Sequence, residues 1–241
     1  MFEKLRFETD DSKKDSLNAH ILSKFKKILE QEASFDYPFK QLRSVGILKS
    51  PDELLKIYNW NLFYSDGSNQ YFGFVQYRKK KRKSHSLYQL KDRSESIEKP
   101  EQLKLSDQNW YGCLYYDLIE KQIGRETIYT LMGWDAHDNF SNKKIIDILY
   151  IDKNNLQFGI PILNYKNQKY HRLIFEYAEQ AKMLLQYDKR YDMIIWDHLS
   201  PPHSGLKGNY EYYGPDGTQD GLNFKNDEWQ YHPNIEPENR K

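Results

Sequence analysis

Apolar residues change their spacing near residue 54 of this 241-residue chain. Before that point they recur at helical spacing: Leu17, Ile21, Leu22, Phe25, Ile28 and Leu29. This spacing predicts an amphipathic helix over residues 16–32, with Asp15 or Ser16 as its cap. Residues 1–14 are highly charged and are expected to be a frayed terminus.

Beyond residue 54, apolar segments of about 7–10 residues alternate with short polar turns. The segments are rich in Tyr, Ile, Phe and Trp, which favour strands, and the turns carry Asp, Asn and Gly. The segment at 142–150 also fits a short helix, but its isoleucines favour a strand. We expect strands at 54–64, 71–79, 86–90, 110–120, 127–134, 145–151, 157–163, 171–177, 181–187, 193–198, 222–224 and 228–231.

Short turns between these segments predict antiparallel pairing, because parallel strands need crossover connections of about a dozen residues. The expected fold is mainly β, an antiparallel meander forming a sandwich or a partly closed barrel, with one N-terminal amphipathic helix. Residues 15–232 are expected to form a single domain, with loops at 91–108 and 199–221 and a polar tail at 233–241. The segment at 110–120 is apolar on both faces and is expected to be a central strand.

The composition of the chain bears on which kinds of partner and cross-link are expected. The 36 Lys and Arg residues nearly balance the 35 Asp and Glu residues, so no specific nucleic-acid partner is expected. No apolar run approaches the roughly 18–20 residues of a membrane span, and no transmembrane segment is expected. The single cysteine, Cys113, excludes an intrachain disulfide and is expected to be a small buried apolar residue.

Seven short motifs follow one another ahead of Trp229: KIYNW at 56–60, YFGFVQY at 71–77, WYGCLYY at 110–116, LMGWD at 131–135, FGIPI at 158–162, DHLSP at 197–201 and YYGPD at 212–216. In this order they resemble a family of uncharacterised exported proteins of the Bacteroidota, over about residues 38–232. The resemblance implies a protein of the cell envelope, periplasmic or associated with the outer membrane after removal of a signal peptide. It assigns no catalytic residues. Residues 1–14 are charged and show no apolar stretch typical of a signal peptide, so the sequence itself also leaves a cytoplasmic location open.

Two segments combine carboxylates with imidazoles. Asp135 and His137 lie in one turn, and Asp197 and His198 end a later strand. If the two segments met in space, they would offer ligands for a metal-assisted hydrolase. Ordinary turn chemistry is the favoured interpretation, because Asp and Asn cap the backbone of turns.

The glycine-rich segment near residue 216 partly matches a calcium-binding loop. Asp216, Thr218, Asp220 and Asp227 take ligand positions of that loop. The last ligand is Asp where the loop needs a bidentate Glu, and no helices flank the segment. A plain glycine-rich turn is favoured, and no cofactor is expected.

A run of six cations follows the second predicted strand: Arg78, Lys79, Lys80, Lys81, Arg82 and Lys83. Such a run could contact an anionic surface, such as lipid headgroups or a polyanionic glycan. No aromatic residue interrupts it, so a solvated hairpin tip is favoured.

Aromatic residues cluster around the glycine-rich segment: Tyr210, Tyr212, Tyr213 and Trp229. They could form a platform on which a sugar ring packs, although core packing is the favoured interpretation. With no convincing catalytic constellation, the favoured function is a non-catalytic envelope module that binds a protein partner, a glycan or an anionic surface. The alternatives are the metal-assisted hydrolase and a structural subunit of an envelope assembly, so enzymatic activity is left open.

Overall fold

The computed structural model describes residues 1–79 and 84–235. Two helices come first, α1 (Phe2–Phe7) and α2 (Asp11–Leu29). Within the described residues sixteen strands follow: β1 (Gly46–Lys49), β2 (Leu55–Phe63), β3 (Asn69–Arg78), β4 (His85–Lys91), β5 (Leu105–Ser106), β6 (Leu114–Ile123), β7 (Glu126–Asp135), β8 (Ser141–Asp152), β9 (Asn155–Phe158), β10 (Leu163–Tyr165), β11 (Gln168–Tyr170), β12 (Arg172–Ala178), β13 (Leu185–Asp188), β14 (Met193–Ser200), β15 (Gly214–Lys225) and β16 (Glu228–His232).

The strands form three sheets. The first sheet has the order β1-β2-β3-β4, and the central sheet has the order β5-β9-β8-β7-β6 with β12 also paired to β8. The third sheet has the order β11-β10-β16-β15-β14-β13. Pairing is antiparallel throughout these sheets except between β10 and β16. The prediction of a mainly β, antiparallel fold with an N-terminal helix is therefore confirmed.

The sheets stack as in a sandwich, with the central sheet covered on both faces. One apolar cluster joins the first and central sheets and includes Ile57, Val75, Leu131, Ile145 and Leu149. A second cluster joins the central and third sheets and includes Ile146, Ile148, Ile194, Leu222 and Trp229. Because side chains alternate along a strand, neighbouring residues of β8 supply both clusters.

Helix α2 covers the outer face of the first sheet through the predicted stripe, as Ile21, Phe25 and Leu29 are buried there. The helix begins at Asp11, because the side chain of Asp10 accepts a hydrogen bond from the Lys13 N–H at 2.9 Å. The prediction of a start at residue 16 was wrong. Residues 2–7 are also helical, so the frayed terminus expected at 1–14 is not observed.

Other expectations also need correction. The strand expected at 157–163 is divided between β9 and β10, and the strand expected at 181–187 begins only at Leu185. The segment at 110–120 becomes a strand only at Leu114, and β6 is an edge strand of the central sheet. Both of its faces are apolar because its sheet lies between two others. The loop expected at 199–221 ends early, since residues from Gly214 onward pair with β14 as β15. No helix among residues 1–79 and 84–235 is long and apolar enough to cross a membrane.

Candidate binding cleft

Strand β12 has one partner strand among the described residues, which is β8. Its other edge is therefore not extended by a neighbouring strand. An unpaired strand edge presents main-chain donors and acceptors that can accept a further strand. The orientation of these groups along β12 follows from the register of its partner.

The main-chain groups of β8 establish this orientation. Ile148 accepts a hydrogen bond at its carbonyl oxygen from the Gly159 N–H at 2.7 Å. Gly159 directly follows β9, which lies on the same side of β8 as β12, so the even-numbered residues of β8 face that side. Ile174 and Glu176 therefore direct their N–H and C=O groups away from β8. The β12 residues that bond to β8 are those opposite its even-numbered residues: Leu173, Phe175 and Tyr177.

Both ends of this edge are covered by other segments. The His171 N–H donates to the Glu101 carbonyl oxygen at 2.8 Å, and the Ala178 N–H donates to the Tyr213 carbonyl oxygen at 2.9 Å. The bond at Ala178 agrees with the orientation deduced for the even-numbered residues of β12. The open part of the edge thus lies between two hydrogen-bonded ends.

A cleft of about 510 Å³ lies along the open part of the edge. It is lined by three consecutive residues of β12, Ile174, Phe175 and Glu176. Consecutive side chains of a strand point to opposite faces, so a cleft that touches all three lies beside the strand edge. We call this the β12 cleft; further residues that line it are Glu101, Tyr165, Trp196, His198, Tyr210 and Tyr213.

Aromatic rings form much of the wall of the β12 cleft. The ring centroids of Phe175 and Trp196 are 5.1 Å apart, and those of Tyr210 and Tyr213 are 5.0 Å apart. Tyr165 packs on the first pair, with its ring centroid 6.2 Å from those of both Phe175 and Trp196. Tyr210 is 46% exposed, so this ring offers a free surface to a ligand. An apolar wall with a few polar groups is the usual composition of a ligand-binding cleft.

One polar pair in the cleft is fixed by a β-bulge between β14 and β15. The bulge lies at His198, whose Nδ1 is 2.7 Å from the Oδ2 of Asp220. Asp220 is 1% exposed and also accepts a hydrogen bond from the Asn234 N–H at 3.1 Å. A carboxylate only accepts, so Nδ1 of His198 donates and its Nε2 remains for another group. Nε2 has no hydrogen-bond partner within the described part of the chain.

The residues of the hydrolase hypothesis have separate partners. Asp135 is buried and accepts hydrogen bonds from the Tyr71 hydroxyl and the His137 N–H, both at 2.8 Å. Burial raises the pKa of Asp135, and the bond from Tyr71 acts against this shift. Asp197 instead accepts hydrogen bonds from the Leu184 N–H and the Gln219 amide. Over the described ranges, no group of three or more His, Cys, Asp and Glu side chains could hold a metal ion.

The residues that match a calcium loop are dispersed along β15. Asp216 accepts from the N–H and hydroxyl of Thr218, at 2.9 and 2.7 Å, and so stabilises a local turn. Asp220 lies inside the strand and pairs with His198, and Asp227 lies in the turn after β15. Asp216 and Thr218 contact each other, but Asp220 pairs with His198 and Asp227 lies beyond the strand, so the four side chains do not form the ligand set that the spacing suggested.

The aromatic cluster around the glycine-rich segment is only partly formed. Tyr210 and Tyr213 line the β12 cleft, and the Tyr213 hydroxyl accepts a hydrogen bond from the Gly208 N–H. Tyr212 is exposed beside them. Trp229 is instead fully buried and donates through Nε1 to the Thr130 hydroxyl at 3.0 Å. Its inclusion in the platform was wrong, since it lies on the inner face of the third sheet.

Only the first two residues of the cation run, Arg78 and Lys79, are described; Lys80, Lys81, Arg82 and Lys83 lie outside the described residues. The Arg78 guanidinium makes two hydrogen bonds to Asp36, at 2.9 and 3.0 Å, and lies 4.1 Å from the centroid of the Phe35 ring. This cation is thus engaged within the protein.

Cys113 is buried as predicted, and burial raises the pKa of its thiol. Sequence reasoning missed most of the β12 cleft, including Tyr165, Phe175 and Trp196. Phe175 and Trp196 follow an ordinary strand pattern and Tyr165 falls in an expected turn, so no local signal marks any of them as part of a cleft.

Comparison with family models, curated proteins and solved structures finds no match to this chain. The structural class of this protein is therefore described from its own fold and cleft. It is a protein of three stacked, largely antiparallel sheets, with a ligand-sized cleft beside an unpaired strand edge.

Proposed function

We propose that this chain is a non-catalytic binding module that takes an extended segment of a partner protein into the β12 cleft. The observation that carries this proposal is the open edge of β12 inside an aromatic-walled cleft. Peptides that add a strand to a sheet edge gain affinity from main-chain hydrogen bonds and specificity from pockets for alternate side chains. The β12 cleft offers both features.

The open edge offers a countable number of hydrogen bonds. Ile174 and Glu176 each present one N–H and one C=O, which allows up to four hydrogen bonds to an added strand. Each contributes about 0.5–1.5 kcal/mol net, or roughly 2–6 kcal/mol in all. The entropy lost when the peptide becomes ordered offsets part of this gain. Contacts with the aromatic wall must therefore supply the rest of the binding free energy.

The proposed cellular setting is the bacterial cell envelope. It rests on the motif order given above, which resembles that of exported envelope proteins of the Bacteroidota. Strand addition is compatible with a transient partner and with a structural subunit of an envelope assembly. The two differ in the lifetime of the complex rather than in the contacts at β12.

The test uses a displayed library of short random peptides, selected on the full chain. In the Glu176→Pro variant, the outward N–H of β12 is lost, while the bonds from Phe175 and Tyr177 to β8 remain. Proline is tolerated at an outward-facing position of an edge strand. The Glu176→Ala variant is the matched control, because it removes the side-chain contacts to Ser141 and Lys143 but keeps the N–H.

We expect selected peptides to bind the Glu176→Ala variant as they bind the wild type. In the Glu176→Pro variant, binding should weaken by about tenfold or more, which corresponds to about 1.4 kcal/mol. Circular dichroism and thermal unfolding would establish that both variants are folded. Equal binding by both variants, or no selected peptide at all, would refute strand addition.

Glycan binding is the second candidate, and the half-exposed ring of Tyr210 in the same cleft favours it. A glycan would pack on this ring and bond to polar side chains such as His198. Its binding would then be lost in Tyr210→Ala and be insensitive to Glu176→Pro. A titration of the wild type and both variants with a panel of glycans, monitored by tryptophan fluorescence, separates the two candidates.

A further inference from the structure

A second cleft, of about 700 Å³, lies beyond the C-terminal end of β12 and shares no lining residue with the β12 cleft. It contains Lys144, which lies on β8 and faces the same side of the central sheet as Ile146 and Ile148. We call it the Lys144 cleft; other residues that line it are Asn61, Asn69, Trp134, Asn142 and Tyr177.

The ammonium group of Lys144 has no counter-ion within the described ranges. Its Nζ lies 4.4 Å from the centroid of the Tyr116 ring, which supplies a cation–π contact. The neighbouring Lys143 differs, because its Nζ lies 3.9 Å from a carboxylate oxygen of Glu176. Burial lowers the pKa of Lys144, which indicates that the protein does not repay the lost hydration of this charge.

Other charged groups line the cleft without pairing with Lys144. Asp138 and Glu179 are the carboxylates, and neither forms an ion pair with the Lys144 ammonium in the described part of the chain. Asp138 instead accepts hydrogen bonds from the N–H groups of Phe140 and Ser141, both at 2.8 Å. Lys182 is exposed and adds a second cation to the cleft.

A second unsatisfied donor lies in the lining. The Oδ1 of Asn69 accepts a hydrogen bond from the Asn61 amide at 2.9 Å, which assigns the orientation of the Asn69 side chain. The Nδ2 of Asn69 is then a buried donor with no partner in the described structure. Two donor groups of one cleft, one of them charged, therefore have no acceptor among the described residues.

We propose that the Lys144 cleft binds a small ligand that carries an oxyanion, with the oxyanion at Lys144 and the body of the ligand against the Trp134 ring. A carboxylate, sulfate or phosphate would supply the counter-ion to the Lys144 ammonium, and further oxygens of the ligand could accept from polar groups of the lining such as Asn69 Nδ2. The indole of Trp134 offers an apolar face to a cyclic body such as a sugar. An acidic sugar combines both properties. This site is independent of strand addition at β12.

The probes are acetate, glucuronate, sulfate and inorganic phosphate, titrated into the full chain and followed by NMR of the lysine side chains. Binding of an oxyanion should raise the pKa of Lys144, because an opposite charge favours the ammonium form. Glucuronate is expected to bind more tightly than acetate, since only glucuronate has a ring. If phosphate or sulfate saturates the site and glucuronate does not bind, the oxyanion site is still supported. The ligand class is then a phosphate or sulfate ester.

Three variants make the test specific. Lys144→Gln should weaken binding by about tenfold or more, while Lys144→Arg should retain it within about threefold. Lys143→Gln is the matched control, because it removes the neighbouring cation of β8, which lies on the opposite face of the strand and outside the Lys144 cleft, and it should change binding by less than about threefold. The proposal is overturned if no probe shifts the Lys144 resonances to saturation. It is equally overturned if Lys144→Gln binds as the wild type does.

Discussion

Tyr71→Phe is a sharp test of the buried polar contact between the first and central sheets. Tyr71 is 2% exposed, and its hydroxyl donates to the Oδ1 of Asp135 at 2.8 Å. The same hydroxyl accepts a hydrogen bond from the Ala136 N–H at 2.8 Å. Phenylalanine keeps the ring and removes both bonds, so the change isolates the hydroxyl.

The expected cost follows from the two groups left behind. A hydrogen bond to a charged group contributes about 1.5–3 kcal/mol, and a buried donor without a partner costs about 1–3 kcal/mol. Asp135 is 5% exposed and keeps a bond from the His137 N–H, so partial compensation favours the lower ends of both ranges. We expect a loss of about 2.5 kcal/mol in the free energy of unfolding at neutral pH.

The cost should depend on pH. Burial raises the pKa of Asp135 above its unfolded value, and the bond from Tyr71 lowers it by favouring the ionised form. Asp135 therefore contributes stability below its unfolded pKa, and this contribution is lost as pH rises through its folded pKa. Removing the hydroxyl raises the folded pKa further, so Tyr71→Phe costs most when Asp135 is ionised. The cost should shrink as pH falls through the folded pKa.

Urea unfolding at about pH 7.5 and about pH 4 measures this difference in Tyr71→Phe, Asp135→Asn and the double variant. In the Asp135→Asn background, Tyr71→Phe should cost less, because the carboxylate that the hydroxyl stabilises is gone. A cost below about 1 kcal/mol at neutral pH would refute the reasoning. An equal cost at both pH values and in both backgrounds would also refute it.

Three further predictions concern the helix start, the core and the cysteine. Asp10→Ala should lower the free energy of unfolding by about 1 kcal/mol, because the cap on the Lys13 N–H is lost; no change in urea would argue against Asp10 as the cap. Arg172→Met should lower it by about 3–5 kcal/mol, since Asp147, 3.3 Å from the Arg172 Nε, would stay buried without its counter-ion; a loss below about 1 kcal/mol would contradict this. Cys113 should resist iodoacetamide in the native protein and react in denaturant, and rapid native labelling would contradict its burial.

Local pattern was sufficient for most elements of secondary structure. The stripe from Leu17 to Leu29 predicted the helix, and the isoleucines at 142–150 correctly favoured a strand. The first residue of the helix was harder to predict. Asp10, Asp15 and Ser16 can all cap a helix, and local sequence does not distinguish among them. The packing of Phe2 from α1 against Phe25 of α2 and Trp60 of β2 favours the earlier start.

The candidate sites were harder to predict, because each depends on residues distant in sequence. Tyr210 and Tyr213 were identified by their local clustering, whereas Phe175 and Trp196 come from separate strands of two sheets. Trp229 belongs to the same local cluster of aromatic residues, yet its ring lies in the core against Thr130. A sequence window contains no information about which face of a sheet a neighbouring strand will cover.

The sequence by itself determined which side chains are apolar, where they alternate, and hence the mainly β fold with its amphipathic N-terminal helix. Only the tertiary structure decided which strands have open edges. Among residues 1–79 and 84–235, β12 pairs only with β8, and other segments hydrogen-bond to the two ends of its outer edge, which leaves the middle of that edge open. The Lys144 cleft is likewise built from residues distant in sequence, and within the described residues none of them pairs with the Lys144 ammonium. Both features depend on the pairing of strands that are distant in sequence. The stabilising free energy of that pairing arises only when the sheets assemble.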